Sequence, residues 1–146
     1  MGSRRKAREL ALQFLYKLDV SGEGYTRDEA GRFLDEFGVK DRERESSEDR
    51  DYAVLLIQNT CRHMAELDGL IGSYLENWTL DRLSAIDRNI LRFAACELRY
   101  FLDIPVNVSI NEAIEIAKRY GLEESAVFIN GVLDKVAREA RKGQDG

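Results

Sequence analysis

Proline occurs once in this 146-residue chain, at Pro105, and glycine only 11 times. So little punctuation argues against a fold of many short strands and tight turns. A single histidine, His63, and two separated cysteines, Cys61 and Cys96, lack the spacing of a zinc site, and we expect no metal. Both cysteines fall inside apolar helical patterns and read as core thiols. No run of about 18 apolar residues is present, and the first residues pass from basic directly into an amphipathic pattern, so we expect neither a membrane span nor a secretory leader, and a cytoplasmic location. Also missing are a glycine-rich phosphate loop, G-x-S-x-G, H-E-x-x-H and any Ser, Cys or His grouping that would activate a nucleophile. We therefore expect no enzyme and no cofactor. Glu112 and Glu115 are the nearest thing to paired carboxylates, but Glu112 sits where a capping role is expected.

What remains is 44% hydrophobic and 34% charged residues, the balance of a globular chain able to bury one substantial core. The net charge of −5 excludes a general polyanion binder, yet its distribution is uneven. Residues 1–20 hold Arg4, Arg5, Lys6, Arg8 and Lys17 against Glu9 and Asp19, a net of +3 that leaves −8 on the rest.

Apolar residues recur at intervals of three and four, which predicts helix almost throughout. Ala7, Leu10, Ala11, Phe14, Leu15 and Leu18 form one stripe, ended by Ser21 and Gly22. Thr26 and Glu29 form a capping box for a second helix with Ala30, Phe33, Leu34 and Phe37 inward, closed by Gly38. The charged stretch from Lys40 to Arg50 reads as a solvated connection running into the next helix. A long helix from about Asp49 to Leu67 is apolar over a wide arc, as a central element would be, and Asp68 stands where it could cap a short helix bearing Leu70, Ile71, Tyr74 and Leu75. Another helix is predicted from about Leu80 to Leu102, covered on two sides. Pro105 turns the chain. Ser109 and Glu112 make a second capping box, Gly121 ends that helix, and a last one runs to about Arg141 with Ile129, Val132, Leu133, Val136 and Ala140 inward. The expected fold is all-α: about seven helices in two packed helical subdomains, at about residues 4–75 and 80–141.

On the first helix, at about 100° per residue, Arg5, Arg8, Leu12 and Tyr16 project away from the apolar stripe. A ring among guanidinium groups is what a splayed single-stranded base requires, a stacking surface with phosphate clamps beside it. A solvated surface would show the same residues. Phe128 lies about 100° from the centre of the last helix's stripe, so it either flanks the core or stands half-exposed. Tyr120, just before Gly121, has the same two readings.

The stretches Ile110–Lys118 (INEAIEIAK), Phe128–Lys135 (FINGVLDK), Arg4–Glu9 (RRKARE), Asp87–Arg92 (DRNILR) and Asp103–Val106 (DIPV) together resemble the NusB family, in the same order along nearly the whole chain. Residues 21–50 are the least similar. The resemblance implies a protein that binds the boxA element of single-stranded RNA together with NusE, a small-subunit ribosomal protein. It also implies assembly on RNA polymerase with other Nus factors, in antitermination on ribosomal RNA operons. By position it assigns RNA contact to Arg4, Arg5, Lys6, Arg8, Tyr16, Glu124 and Phe128, with Tyr120 as a further candidate ring. Tyr74, Asp81 and Asp87 would meet NusE. Two departures stand out: Glu124 where the family often has aspartate, and Lys6 where it often has arginine, which loses the bidentate fork. Asn111, Asn130 and Gly131 are expected to serve helix packing, the asparagines through interhelix hydrogen bonds. Other readings are a protein-binding helical adaptor, a homodimer, or the RNA-recognition module of a ribosomal RNA methyltransferase. The last would need an α/β domain with a cofactor loop, and these residues show no pattern for one.

Overall fold

A computed structural model of the protein describes residues 3–22, 24, 27–34 and 47–140. The described residues form seven α-helices: α1 (Ser3–Ser21), α2 (Arg27–Phe33), α3 (Ser47–Arg62), α4 (Met64–Gly72), α5 (Ala85–Tyr100), α6 (Val106–Tyr120) and α7 (Ser125–Ala140), with a short 3-10 turn at Leu80–Arg82. Among them no helix is long and apolar enough to cross a membrane. The cap expected from Thr26, the inward Phe37, the stop at Gly38 and most of the charged stretch after it lie outside the described residues.

α1 ends where its pattern does. Gly22 adopts φ 73°, a left-handed conformation that suits glycine, and its N–H donates to the Leu18 carbonyl at 2.9 Å. The long helix expected to Leu67 is instead divided at His63, whose φ of −108° separates α3 from α4. The His63 ring is held by the Asn59 carbonyl at 3.0 Å and stacks on Tyr100, with centroids 4.1 Å apart. Asp68 therefore falls inside α4 rather than capping a new helix. The segment after it is also shorter than expected: the backbone is extended at Leu83 and Ser84, and the Ser84 hydroxyl caps α5 by accepting from the Asp87 N–H at 3.1 Å.

α6 begins at Val106, directly after Pro105, so the Ser109–Glu112 capping box does not form. Proline suits that entry because its missing N–H has no acceptor in the first turn. Ser109 is buried with no partner for its hydroxyl, and Glu112 turns toward α1. Gly121 closes α6, its N–H meeting the Ala117 carbonyl at 2.8 Å. A Cβ there would lie 2.8 Å from the Ser125 side chain, so the tight turn into α7 needs glycine.

The central element is α5, not α3. It packs against α1, α3, α4, α6 and α7, and every residue from Asn89 to Leu98 except Arg92 is buried. α1 lies between α3 and α5, and one continuous hydrophobic cluster joins Phe14 and Leu56 of the first half to Phe93, Ile116 and Leu133 of the second.

Candidate nucleic-acid interface

At its N-terminal end, α1 meets the turn between α5 and α6. Arg5 forms a two-pronged pair with Glu112 of α6, Nε to Oε1 at 3.0 Å and Nη2 to Oε2 at 2.5 Å. The pair raises the arginine's pKa and holds the Glu112 carboxyl below its ordinary range. Arg4 is exposed and lays its guanidinium over the Tyr52 ring, 4.5 Å from the centroid. Lys6 is half-buried. A cleft of about 540 Å³ opens here, with Arg4, Arg5 and Arg8 on one wall and Ile104, Pro105 and Val108 on the other.

Arg8 is not on the surface. Only 2% of it is exposed, and its Nε donates to Glu97 Oε2 at 2.7 Å, an oxygen that also accepts from the Tyr52 hydroxyl at 2.5 Å. Burial works against the charged guanidinium, but the Glu97 carboxylate outweighs it, and the pKa of Arg8 is raised. Leu12, expected on the same outward side, is 1% exposed. α1 does not lie on a single layer, which would leave that side in water. Flanked by α3 and α5, it buries an arc wide enough to take in Arg8 and Leu12. Arg8 is thus a brace beneath the arm.

Two further candidate rings, Tyr120 and Tyr16, lie farther along α1 from this end. Arg5 meets Glu112 and Glu9 meets Arg119 at 3.0 Å, so α1 and α6 run in parallel. Tyr120, at the end of α6, is half-buried under the Arg119 guanidinium. Its hydroxyl is shifted up, first by burial and then by the charge of Glu9. Tyr16 is 41% exposed, about 17 Å along the helix axis from Arg5 at 1.5 Å per residue. Glu124 is exposed just before α7, and Phe128 follows a turn later, half-buried against the core. Phe128 also lines a groove of about 360 Å³ with Tyr74, Trp78, Val127 and Gly131. The structure therefore brings Tyr74 beside Phe128.

Trp78, 55% exposed, was not singled out by sequence reasoning. The available signal was its being the chain's one tryptophan, set in the polar stretch Glu76–Asn77–Trp78–Thr79. Gly131 was expected to make room for a packed neighbour, but a Cβ there would meet nothing within 4 Å. Asn111 and Asn130 are exposed and make no interhelix hydrogen bond among the described residues. In all three cases the residue faces away from the helices its own helix packs on.

Asp81 is exposed and Asp87 half-buried, with Asp87 Oδ1 buried and unpartnered. Beside them runs a charge network that ties α1 and α4 to α5. Asp19 Oδ2 accepts from Arg88 at 2.8 Å, Asn89 at 2.8 Å and Arg92 at 3.2 Å, and Arg92 grips Asp68 with two bonds of 2.8 and 2.9 Å. Burial acts to raise the Asp19 carboxyl, but the bonds from Arg88 and Asn89 hold it below its ordinary value. Cys61 and Cys96 are free thiols, pushed up by burial to about 11 and about 12, the wrong direction for a nucleophile. Among the described residues no group of three or more His, Cys, Asp or Glu could hold a metal ion.

The geometry defines an all-helical protein whose candidate site is an extended surface of guanidinium groups, rings and carboxylates. Residues 5–138 match the sequence pattern described as the NusB family. The transcription antitermination protein NusB of Thermodesulfovibrio yellowstonii is 44% identical over 140 residues, covering 93% of this chain and 92% of that one. The solved NusB of T. maritima superposes with a TM-score of 0.81 at 39% identity, over 93% of this chain and 91% of its own. A structure of antitermination factors NusB and NusE in complex with dsRNA superposes at 0.78 with 29% identity, over 95% and 98%. The chain belongs to the NusB family.

Proposed function

We propose that this chain is a transcription antitermination factor that binds boxA-type single-stranded RNA together with NusE and assembles with other Nus factors on RNA polymerase in the cytoplasm. The observation that carries this reading is the alignment along α1: cations Arg4, Arg5 and Lys6 at one end, and the exposed Tyr16 ring about 17 Å away. That spacing suits a few nucleotides of extended strand. The relatives, which include antitermination proteins and a complex of NusB with NusE and RNA, support the same reading.

In this proposal Arg4, Arg5 and Lys6 hold phosphates, while Tyr16 and Phe128 contact bases or sugars, with Tyr120 and Glu124 beside them. Asp81 and Asp87 face the basic ribosomal protein, and Tyr74 borders both surfaces. Function is scaffolding and involves no chemical step.

The test is titration of a labelled boxA-like RNA and a scrambled control, with and without NusE, across a salt series. The boxA-like RNA should bind more tightly, and more so with NusE. Arg4→Ala should lower the slope of log affinity against log salt by about 0.7. An unchanged slope would remove the arm from the RNA site. Binding of NusE with no affinity for RNA would leave a protein adaptor instead.

A further inference from the structure

Of the arginines at the start of α1, Arg8 is committed to Glu97 in the interior, where side-chain exposure is 3% and 0% for the two partners. Arg5 is different. Its pair with Glu112 sits at the wall of the open cleft, with side-chain exposures of 43% and 20%. The Glu112 carboxylate takes Arg5 through two parallel N–H···O bonds, the same fork that an arginine offers to a phosphate. Both anions therefore need the same donors. Glu112 Oε1 also lies 3.5 Å from Arg8 Nη1, so a carboxylate that gives up Arg5 keeps a cationic neighbour. Exchange of Arg5 from carboxylate to phosphate would strand no charge, which is not so for Arg8 and Glu97.

We infer that Glu112 is an internal competitor for RNA phosphate, holding Arg5 in the free protein until a backbone phosphate displaces it. The inference rests on the RNA-binding role proposed above for this end of α1. Depression of the Glu112 carboxyl by Arg5 keeps it ionised at neutral pH, so the competition is always present. Its consequence is a binding surface that presents less positive charge than its sequence contains. Weak encounters with any polyanion are discouraged, and a strand must bring further contacts to open the pair. Since phosphates carry no sequence information, the effect falls equally on specific and scrambled RNA.

The experiment compares the wild type with Glu112→Gln, Arg5→Ala and the double variant, by fluorescence anisotropy of a labelled boxA-like RNA and a scrambled RNA over a salt series. Thermal melting confirms folding. Removing the competitor should raise affinity by up to about fivefold, the worth of a partly exposed ion pair and the same for both RNAs, while the salt slope stays unchanged because Arg5 meets a phosphate in either complex. In the Arg5→Ala background, Glu112→Gln should change affinity by less than about twofold. Glu115→Gln, which removes an equal charge from an exposed position on α6, should also change it by less than about twofold. Should Glu112→Gln fold poorly, Glu112→Asp, which withdraws the carboxylate by one methylene, should move affinity in the same direction. Unchanged or weaker binding by Glu112→Gln overturns the inference, because Glu112 would then merely orient Arg5 toward the RNA. An equal gain without Arg5 also overturns it, as a general charge effect. In both cases the wild type still binds RNA and the proposed function survives. No RNA binding by any form would refute both.

Discussion

Removing the Glu97 carboxylate should destabilise the protein more than any change at the exposed end of α1. In Glu97→Ala, Arg8 stays 2% exposed with its main counter-charge gone, and the Tyr52 hydroxyl loses its acceptor in the same step. Breaking one side of a buried pair costs about 3–5 kcal/mol, because an uncompensated charge remains in a poorly solvating interior. For a chain of this length that corresponds to a melting point lower by about 10–15 °C. Urea unfolding should show a lower midpoint at unchanged slope, since the surface exposed on unfolding is nearly the same. Replacing both partners, Arg8→Met with Glu97→Met, should recover part of that loss, leaving about 1–3 kcal/mol for the Tyr52 hydroxyl, which still lacks its acceptor. That double variant should also leave the salt slope of RNA binding unchanged, since Arg8 is engaged with Glu97 in the interior. A loss below about 1 kcal/mol in Glu97→Ala would refute the reasoning. So would an Arg8 variant of normal stability whose salt slope falls by a full contact, for Arg8 would then be a surface clamp.

Two glycines should respond oppositely to alanine. At Gly131 a Cβ meets open space within a helix interior, so Gly131→Ala should stabilise by about 1 kcal/mol, measured by urea midpoint. At Gly121 it would press on Ser125 and on the Ala117 carbonyl, and Gly121→Ala should cost about 1–3 kcal/mol. The acid response follows from Asp19 and Glu112, whose carboxyls are both held below their ordinary values. A depressed folded-state pKa contributes stability that is complete above the unfolded value, near pH 4, and is lost as pH falls through the folded value. Stability should therefore be flat above about pH 5 and decline below pH 4, and Asp19→Asn should make the decline shallower. An equally steep decline in that variant would place the acid-sensitive contacts elsewhere.

The helices were legible because their period is local. The stripe Ala7–Leu18, the left-handed Gly22, the turn at Pro105 and the stop at Gly121 each depend on a few adjacent residues, and each stands where its pattern places it. The breaks missed by periodicity are those that preserve it. Across His63 the helical hydrogen bonds continue, from Asn59 to His63 and on to Leu67, so the apolar spacing shows no gap. The capping box at Ser109 and Glu112 failed for a different reason: helix entry at Pro105 had already supplied a start, and a carboxylate with an arginine in reach goes to the charge.

From the sequence alone came the all-helical class, the gathering of cations at the leading end, and a family resemblance borne out by relatives over nearly the full length. Tertiary structure decided which of those cations face water. Arg5 and Arg8 differ little in chemistry or helical angle, yet one reaches across 107 positions to a carboxylate at a cleft and the other across 89 to one inside the core. Nor could periodicity place Trp78 beside Phe128 over an open Gly131. Helical period describes a helix's own geometry, whereas burial is set by how many neighbours flank it, and those neighbours lie far outside any local window.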